Sequence, residues 1–217
     1  MRISDSLLRQ QLLGVESDDI LNSVYWIING EQMEAVNGLS ITPKPASEDI
    51  SGVTVDVHLD SEFQVPRYND DYSLNTTEID LSLPRAELSA LAAQVFQKHE
   101  GDYVLQPGEF CLGSTLETIN IPRTLVGWLD GRSTLARFGL LVHVTAHRID
   151  PGWNGKVVLE FYNAGNCPVR LVPGMKIGAV SFETIHGAVV SAYGERADAS
   201  YKDQDSVLLP GGMKQEA

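Results

Sequence analysis

Three arginines and one carboxylate stand out in a strongly acidic chain. Arg132 and Arg137 sit within the heptapeptide GRSTLAR (131–137), which also carries the hydroxyls of Ser133 and Thr134. Arg148 follows, and Glu160 lies inside the apolar run VVLEFY (157–162). Arginine suits phosphate because its planar fork gives two parallel hydrogen bonds. A glycine such as Gly131 lets the backbone turn tightly and exposes amides beside the hydroxyls. Each charge-assisted bond contributes roughly 1.5–3 kcal/mol net, so three or four of them hold a triphosphate. The same residues also suit a plain turn whose arginines pair with surface acids, and spacing alone leaves both readings open.

Glu160 poses a sharper problem. Strand alternation puts Val158, Glu160 and Tyr162 on one face and Leu159 and Phe161 on the other. A buried, unpaired carboxylate costs several kcal/mol, so Glu160 must be exposed, paired or protonated part of the time. It can pair with Arg148 on a preceding strand, or act as a general base in a partly desolvated pocket. Between the two lies IDPGWNG (149–155), a turn in which Pro151 presets φ and Gly152 supplies a positive φ. Asp150 there either caps the turn or accepts a hydrogen bond from a sugar hydroxyl, and Trp153 either packs, the commoner role at a turn, or stacks on a ligand. His143 alternates with apolar neighbours and reads as a satisfied core or interface histidine. Walker and GxSxG motifs are absent, and none of the five histidines has the companions that zinc nucleobase deaminases require.

These residues need strands and turns to hold them. VHVTAHRIDPGWNGKVVLEFYN (142–163) reads as strand, tight turn, strand. Around it, short β-type runs alternate with Gly, Pro and Asn turns: VTVDVHL, FCLGSTLETINI, TLVGWL, LLVHVTA, KVVLEFY, VRL and KIGAVSF. The fold expected is mainly β, a sandwich or distorted barrel of many short strands. One internal helix is expected over 85–98, rich in Ala and Leu. The first 38 residues read as a helical segment. Ser4 caps a helix bearing Leu7, Leu8 and Leu12 that stops at Gly14, and a second amphipathic stretch carries Ile20, Leu21, Val24, Ile27 and Ile28 up to Gly30. Residues 39–194 form the β-rich domain, and 195–217 read as a mobile polar tail.

Composition narrows the partners. The 217 residues carry a net charge of −13, which argues against general nucleic-acid binding. From Arg123 to Glu160, however, five Lys or Arg face three Asp or Glu, a local +2. One basic island in an acidic protein suits a discrete anionic ligand, although charge also fluctuates along any chain. Cys111 and Cys167 have neither disulfide-framework nor metal spacing. No signal-peptide core opens the sequence and no apolar run is long enough to span a bilayer, so a cytoplasmic location without membrane association is expected.

The stretch GRSTLARFGLLVHVTAHRIDPGWNGKVVLEFYNAG closely resembles the signature of bacterial dCTP deaminases, members of the dUTPase superfamily. The likeness runs from about Leu39 to Gln204 and includes LSITPKP, VDVHL, LQPGEFCLGSTLE, LVPGMKIGAVSFE and DASYKDQ. The resemblance implies a dUTPase-type fold, distorted-barrel or jelly-roll-like, assembled as a homotrimer with active sites at subunit interfaces. It implies zinc-independent deamination of dCTP to dUTP and ammonia, with magnesium riding on the substrate triphosphate, no metal ligand from the protein, and dTTP as an inhibitor. By the same resemblance Arg132, Ser133, Thr134 and Arg137 hold the phosphates, with Ser133 and Arg137 helping to order the catalytic water. Asp150 meets the deoxyribose 3′-hydroxyl, and Val158 and Leu159 lie along the nucleotide. Glu160 is the catalytic carboxylate, and Ala146 and Arg148 border the base and the water. Tyr193 and Gln204 meet the nucleotide from the tail, which closes over the site.

Two departures from the pattern are visible. Residues 14–36 look like an insertion, and Ser200 stands where the family usually has a triphosphate-reaching lysine, with Lys202 two residues on. The rival activities are a bifunctional dCTP deaminase/dUTP diphosphatase, a dUTPase, and a non-catalytic nucleotide sensor. LLPGGMK is only a faint echo of the arginine- and glycine-rich motif that dUTPases close over phosphate.

Overall fold

The computed structural model describes residues 2–14, 25–28, 31–34, 38–69, 78–143, 145–186, 189–197 and 199–207. Helix α1 (Asp5–Leu13) buries Leu8 and Leu12, one turn apart, and ends where Gly14 takes a left-handed φ of 69°. The Ser4 hydroxyl pairs with that of Ser6 instead of capping an amide.

The second amphipathic stretch is corrected. Tyr25–Ile28 (β1) and Glu31–Glu34 (β2) pair as an antiparallel hairpin. The helical spacing of apolar residues misled, because YWII is a run of aromatic and β-branched residues followed at once by Asn-Gly, the strongest short hairpin signal. The part of the expected helix in 15–24 lies outside the described residues.

From here the chain is nearly all strand: β3 (Ser40–Thr42), β4 (Ile50–Ser51), β5 (Thr54–His58) and β6 (Glu62–Pro66). Helix α2 (Arg85–Val95) stops three residues short of the expected end, because β7 (Phe96–Glu100) leaves it to pair with β6. There follow β8 (Tyr103–Leu105), β9 (Phe110–Asn120), β10 (Leu125–Gly131), a single helical turn α3 (Ser133–Ala136), β11 (Leu140–Leu141) and β12 (Arg148–Ile149). The described fold closes with β13 (Asn154–Asn163), β14 (Val169–Leu171) and β15 (Lys176–Thr184).

Two antiparallel sheets carry the architecture, in the orders β12-β10-β15-β5-β4 and β11-β13-β9-β6-β7, with β3 also on β9. Alternating residues of both enter one core. Val55, Val57, Leu125, Leu129, Val180 and Phe182 come from the first sheet, and Phe63, Cys111, Ile119, Leu159 and Phe161 from the second. The expected hairpin over 142–163 is therefore not one. β12 pairs with β10 in the first sheet and β13 pairs with β9 in the second, so the turn at 150–153 carries the chain between sheets. The expected strand LLVHVTA shrinks to Leu140–Leu141, although the Val142 carbonyl still accepts the Glu160 amide at 3.0 Å. Gly131 does not turn the chain either: it is the last residue of β10, opposite Gly178.

Candidate functional site

Glu160 sits where alternation puts it. Along β13, Val158, Glu160 and Tyr162 are half-buried while Leu159 and Phe161 are fully buried. The half-buried face forms one wall of a cleft of about 240 Å³, lined by Leu112, Ala146, Arg148, Ile149, Trp153, Val157, Val158, Glu160, Tyr201 and Gln204. Its walls thus come from both sheets and from the tail. That volume suits a single heterocyclic base, and the apolar lining with a few polar groups is the usual chemistry of a small-molecule site.

The polar groups are held from behind. Arg148 directs Nε to Asp150 Oδ1 at 2.7 Å, and Arg196 approaches Asp150 Oδ2 at 3.7 Å. Asp150 is therefore engaged by arginines, not by the turn it opens. Gln204, only 3% exposed, donates Nε2 to the Lys156 carbonyl at 2.6 Å, which fixes the amide and leaves Oε1 without a donor among the described residues. A buried, unpartnered acceptor on a cleft wall calls for an N–H or O–H from a ligand. His143 is half-buried; its ring hydrogen-bonds to the Leu129 backbone, and its Nδ1 has no partner among the described residues of its own chain. Burial, then the neighbouring His147 ring 5.5 Å away, push its pKa down, against the pull of Asp130 and Glu160.

The tail builds the remaining wall. The Tyr193 amide donates to Pro151 O at 2.8 Å, its ring lies 5.1 Å from Trp153, and its hydroxyl accepts the Tyr201 amide. Gly152, at φ +80°, is required here, since a Cβ would lie 2.6 Å from the Ala192 Cβ. Gln204 forms a parallel bridge with Gly155, and Asp203 accepts from Asn154 Nδ2 at 2.8 Å. Val207 is buried, so the described tail packs against the domain through that residue.

GRSTLAR lies elsewhere. Ser133, Thr134 and Arg137 are exposed on and after α3, and Arg132 pairs with Asp56 at 2.7 Å. None of the four lines the cleft of its own chain.

A dCTP deaminase-like family model matches residues 29–185. The chain belongs to the dCTP deaminase-like family. The dCTP deaminase of Pectobacterium atrosepticum is 52% identical over 175 residues, 78% of this chain and 88% of its own. That of Glaesserella parasuis is 49% identical over 176 residues, 79% of this chain and 88% of its own. The crystal structure of the Agrobacterium tumefaciens 2′-deoxycytidine 5′-triphosphate deaminase aligns with a TM-score of 0.57 at 13% identity, over 85% of this chain and 47% of that one, a likeness of fold.

In this dCTP deaminase-like chain, Ala146, Arg148, Val158, Glu160 and Gln204 meet at one cleft, and Asp150 and Tyr193 buttress it from behind. The Leu159 side chain is fully buried in the core, so only its backbone is available to a ligand. Sequence reasoning missed Tyr201, Leu112, Ile149 and Val157 as lining residues, and favoured packing over ligand stacking for Trp153. Trp153 does pack, donating Nε1 to Gly155 O at 3.1 Å, but it also faces the cleft. Tyr201 left a signal, a lone aromatic in a polar tail beside Gln204. Among the described residues no three His, Cys, Asp or Glu side chains converge as a metal site, and no helix is long and apolar enough to cross a membrane.

Proposed function

We propose that this chain hydrolyses the exocyclic amine of dCTP, giving dUTP and ammonia and so feeding dUMP and dTTP synthesis. The observation that carries the reading is Glu160, half-buried on the wall of a base-sized cleft, in a chain about half identical to dCTP deaminases. Water adds to the carbon bearing the amino group. Glu160 takes one proton from that water and passes it to the ring nitrogen, forming a tetrahedral adduct. It then moves the hydroxyl proton to the amino nitrogen, the C–N bond breaks, ammonia leaves and a carbonyl remains. Glu160 ends as it began. Such acid–base work contributes about 10²- to 10⁴-fold, and positioning and fixed dipoles supply the rest.

The neighbours fit these steps. Arg148 and the backbone at Ala146 border the water and the base. Gln204 Oε1 accepts from the nucleotide, and cytosine offers an amino donor where uracil has a carbonyl. Asp150 takes the 3′-hydroxyl. Arg132, Ser133, Thr134 and Arg137 bind the triphosphate, which carries magnesium; their donors suit phosphate oxygens and leave the ion to the nucleotide. When bound, the ion neutralises phosphate charge.

These four residues lie outside the cleft of their own chain, which supports a homotrimer in which one subunit's turn completes its neighbour's site. Phe138, 71% exposed directly after that turn, and the apolar groove of Leu135, Phe138, Leu140, Cys167, Pro168 and Val169 fit such a contact. dTTP, sharing sugar and triphosphate, is the expected inhibitor, and the working location is the cytoplasm. Incubation with dCTP, dCMP and dUTP side by side tests the reading. Ammonia and dUTP from dCTP support it. dUMP and pyrophosphate from dCTP mean a bifunctional enzyme, the same products from dUTP alone a dUTPase, and binding without turnover a sensor.

A further inference from the structure

Arg132 does not stand alone at the phosphate turn. Its Nη1 meets Asp56 Oδ1 at 2.7 Å, and the other oxygen of Asp56 takes Lys176 Nζ at 3.0 Å. Lys176 in turn meets Asp49 Oδ1 at 2.7 Å. Asp49 lies 3.9 Å from His58 Nε2, and His58 Nδ1 lies 2.7 Å from Glu117. A row of contacts thus leads from the surface turn through Lys176 and the His58 ring to two buried carboxylates, Asp49 and Glu117. Hydrogen bonds that Lys176 donates to Asp49 and Asp56 push its pKa up, so it stays a cation.

The row depends on three strands in register. Asp130 on β10 faces Ala179 on β15, and Ala179 faces Asp56 on β5. Arg132, just past β10, reaches Asp56 across the middle strand, whose residue between Asp130 and Asp56 is the small Ala179. Val55 and Val57 on either side of Asp56 are fully buried in the core, so its backbone is fixed. The Asp56 side chain is 19% exposed and that of Arg132 36%. An isolated exposed ion pair holds a flexible arginine poorly. This one is different, because the carboxylate itself is clamped by Lys176 on its second oxygen. A guanidinium has five N–H donors in a rigid fork, and one nitrogen spent on Asp56 leaves the others for phosphate.

We propose that Asp56 is a positioning residue for substrate binding: it fixes the Arg132 guanidinium toward the triphosphate while Lys176 holds Asp56 in place. The proposal rests on the reading that Arg132 binds phosphate. Its effect belongs to ground and transition state alike, so it appears in KM and not in kcat.

The test is a double-mutant cycle on the full-length enzyme. Binding of dCTP is measured in a Glu160→Gln background, and kinetics with Glu160 intact. Asp56→Ala is expected to weaken dCTP binding about tenfold and to raise KM alike, with kcat held within about twofold. Arg132→Ala is expected to weaken binding at least as much, and adding Asp56→Ala to it to cost nothing further. An equal penalty in both backgrounds means Asp56 acts through the fold, and overturns the proposal. So does unchanged or tighter binding in Asp56→Ala. Unchanged binding in Arg132→Ala overturns the phosphate reading itself, a separate result. Asp56→Asn, which keeps the shape, and Lys176→Gln, which loosens the clamp, repeat the cycle should Asp56→Ala not fold. Both are expected to weaken dCTP binding in the same direction, and only while Arg132 is present.

Discussion

Replacing Glu160 by glutamine separates chemistry from binding. The two side chains have the same shape, and the backbone of residue 160 is held independently, by the hydrogen bond its amide donates to Val142 O and the register against Leu112 on β9. Since the side chain is half-buried and faces the cleft, the change in stability is expected within about 0.5 kcal/mol. An amide cannot take the water's proton, so the acid–base contribution is lost. A loss of about 10²- to 10⁴-fold in kcat corresponds to roughly 3–5 kcal/mol of activation free energy at 1.36 kcal/mol per decade. Affinity for dCTP, which on the proposed reading rests on phosphate and sugar contacts, is expected to stay within about tenfold. Ammonia release under saturating dCTP reads the first quantity, and calorimetric titration of the variant with dCTP reads the second. A variant that keeps most of its rate refutes Glu160 as base. One that loses rate and affinity together refutes the separation of chemistry from grip on which the mechanism relies.

Other consequences can be measured on the same preparation. Gln204→Leu removes both the bond to Lys156 O and the acceptor in the cleft, and is expected to raise KM for dCTP about tenfold; an unchanged KM places the nucleotide elsewhere. Gly152→Ala forces a side chain into a left-handed φ and against Ala192, a cost of roughly 2 kcal/mol or more that falls on the tail contact. Limited proteolysis should then cut residues 192–207 faster while turnover falls, and an unaltered cleavage rate contradicts the account. His143, its pKa lowered from the ordinary 6.5, resists the proton that the unfolded chain accepts. Its contribution to stability is thus complete above pH 6.5 and is lost as pH falls below that value toward the lowered folded pKa. Thermal melts of wild type and His143→Gln should converge over that window, and parallel curves would reject the assignment.

Much of this was legible in residue types. The alternation around Glu160 placed it on the accessible face of a strand, and that is where it lies. α1 and its glycine stop were legible because a left-handed helix end is local, although the expected Ser4 cap pairs with Ser6 instead. What failed was pairing, which is not local. The turn chemistry of IDPGWNG is that of a hairpin, yet its flanking strands find partners in different sheets. Apolar spacing could not tell YWII from a helix, and only the aromatic and β-branched residues before Asn-Gly carried the distinction. Tyr201 and Leu112 reach the cleft through contacts spanning much of the chain, which no local pattern encodes. Asp56 was invisible for the same reason: VDVHL looks like any half-exposed strand until Arg132 arrives from two strands away.

The four-residue crossing at 150–153 has a mechanical consequence. Arg148 and Glu160 stand on opposite jaws, one fastened to each layer of the sandwich, with that short link as the hinge pin. Sliding one layer over the other by a fraction of an ångström alters the gape between guanidinium and acid. Repacking Phe182 or Phe161, fully buried between the layers and absent from the cleft lining, is therefore expected to detune turnover.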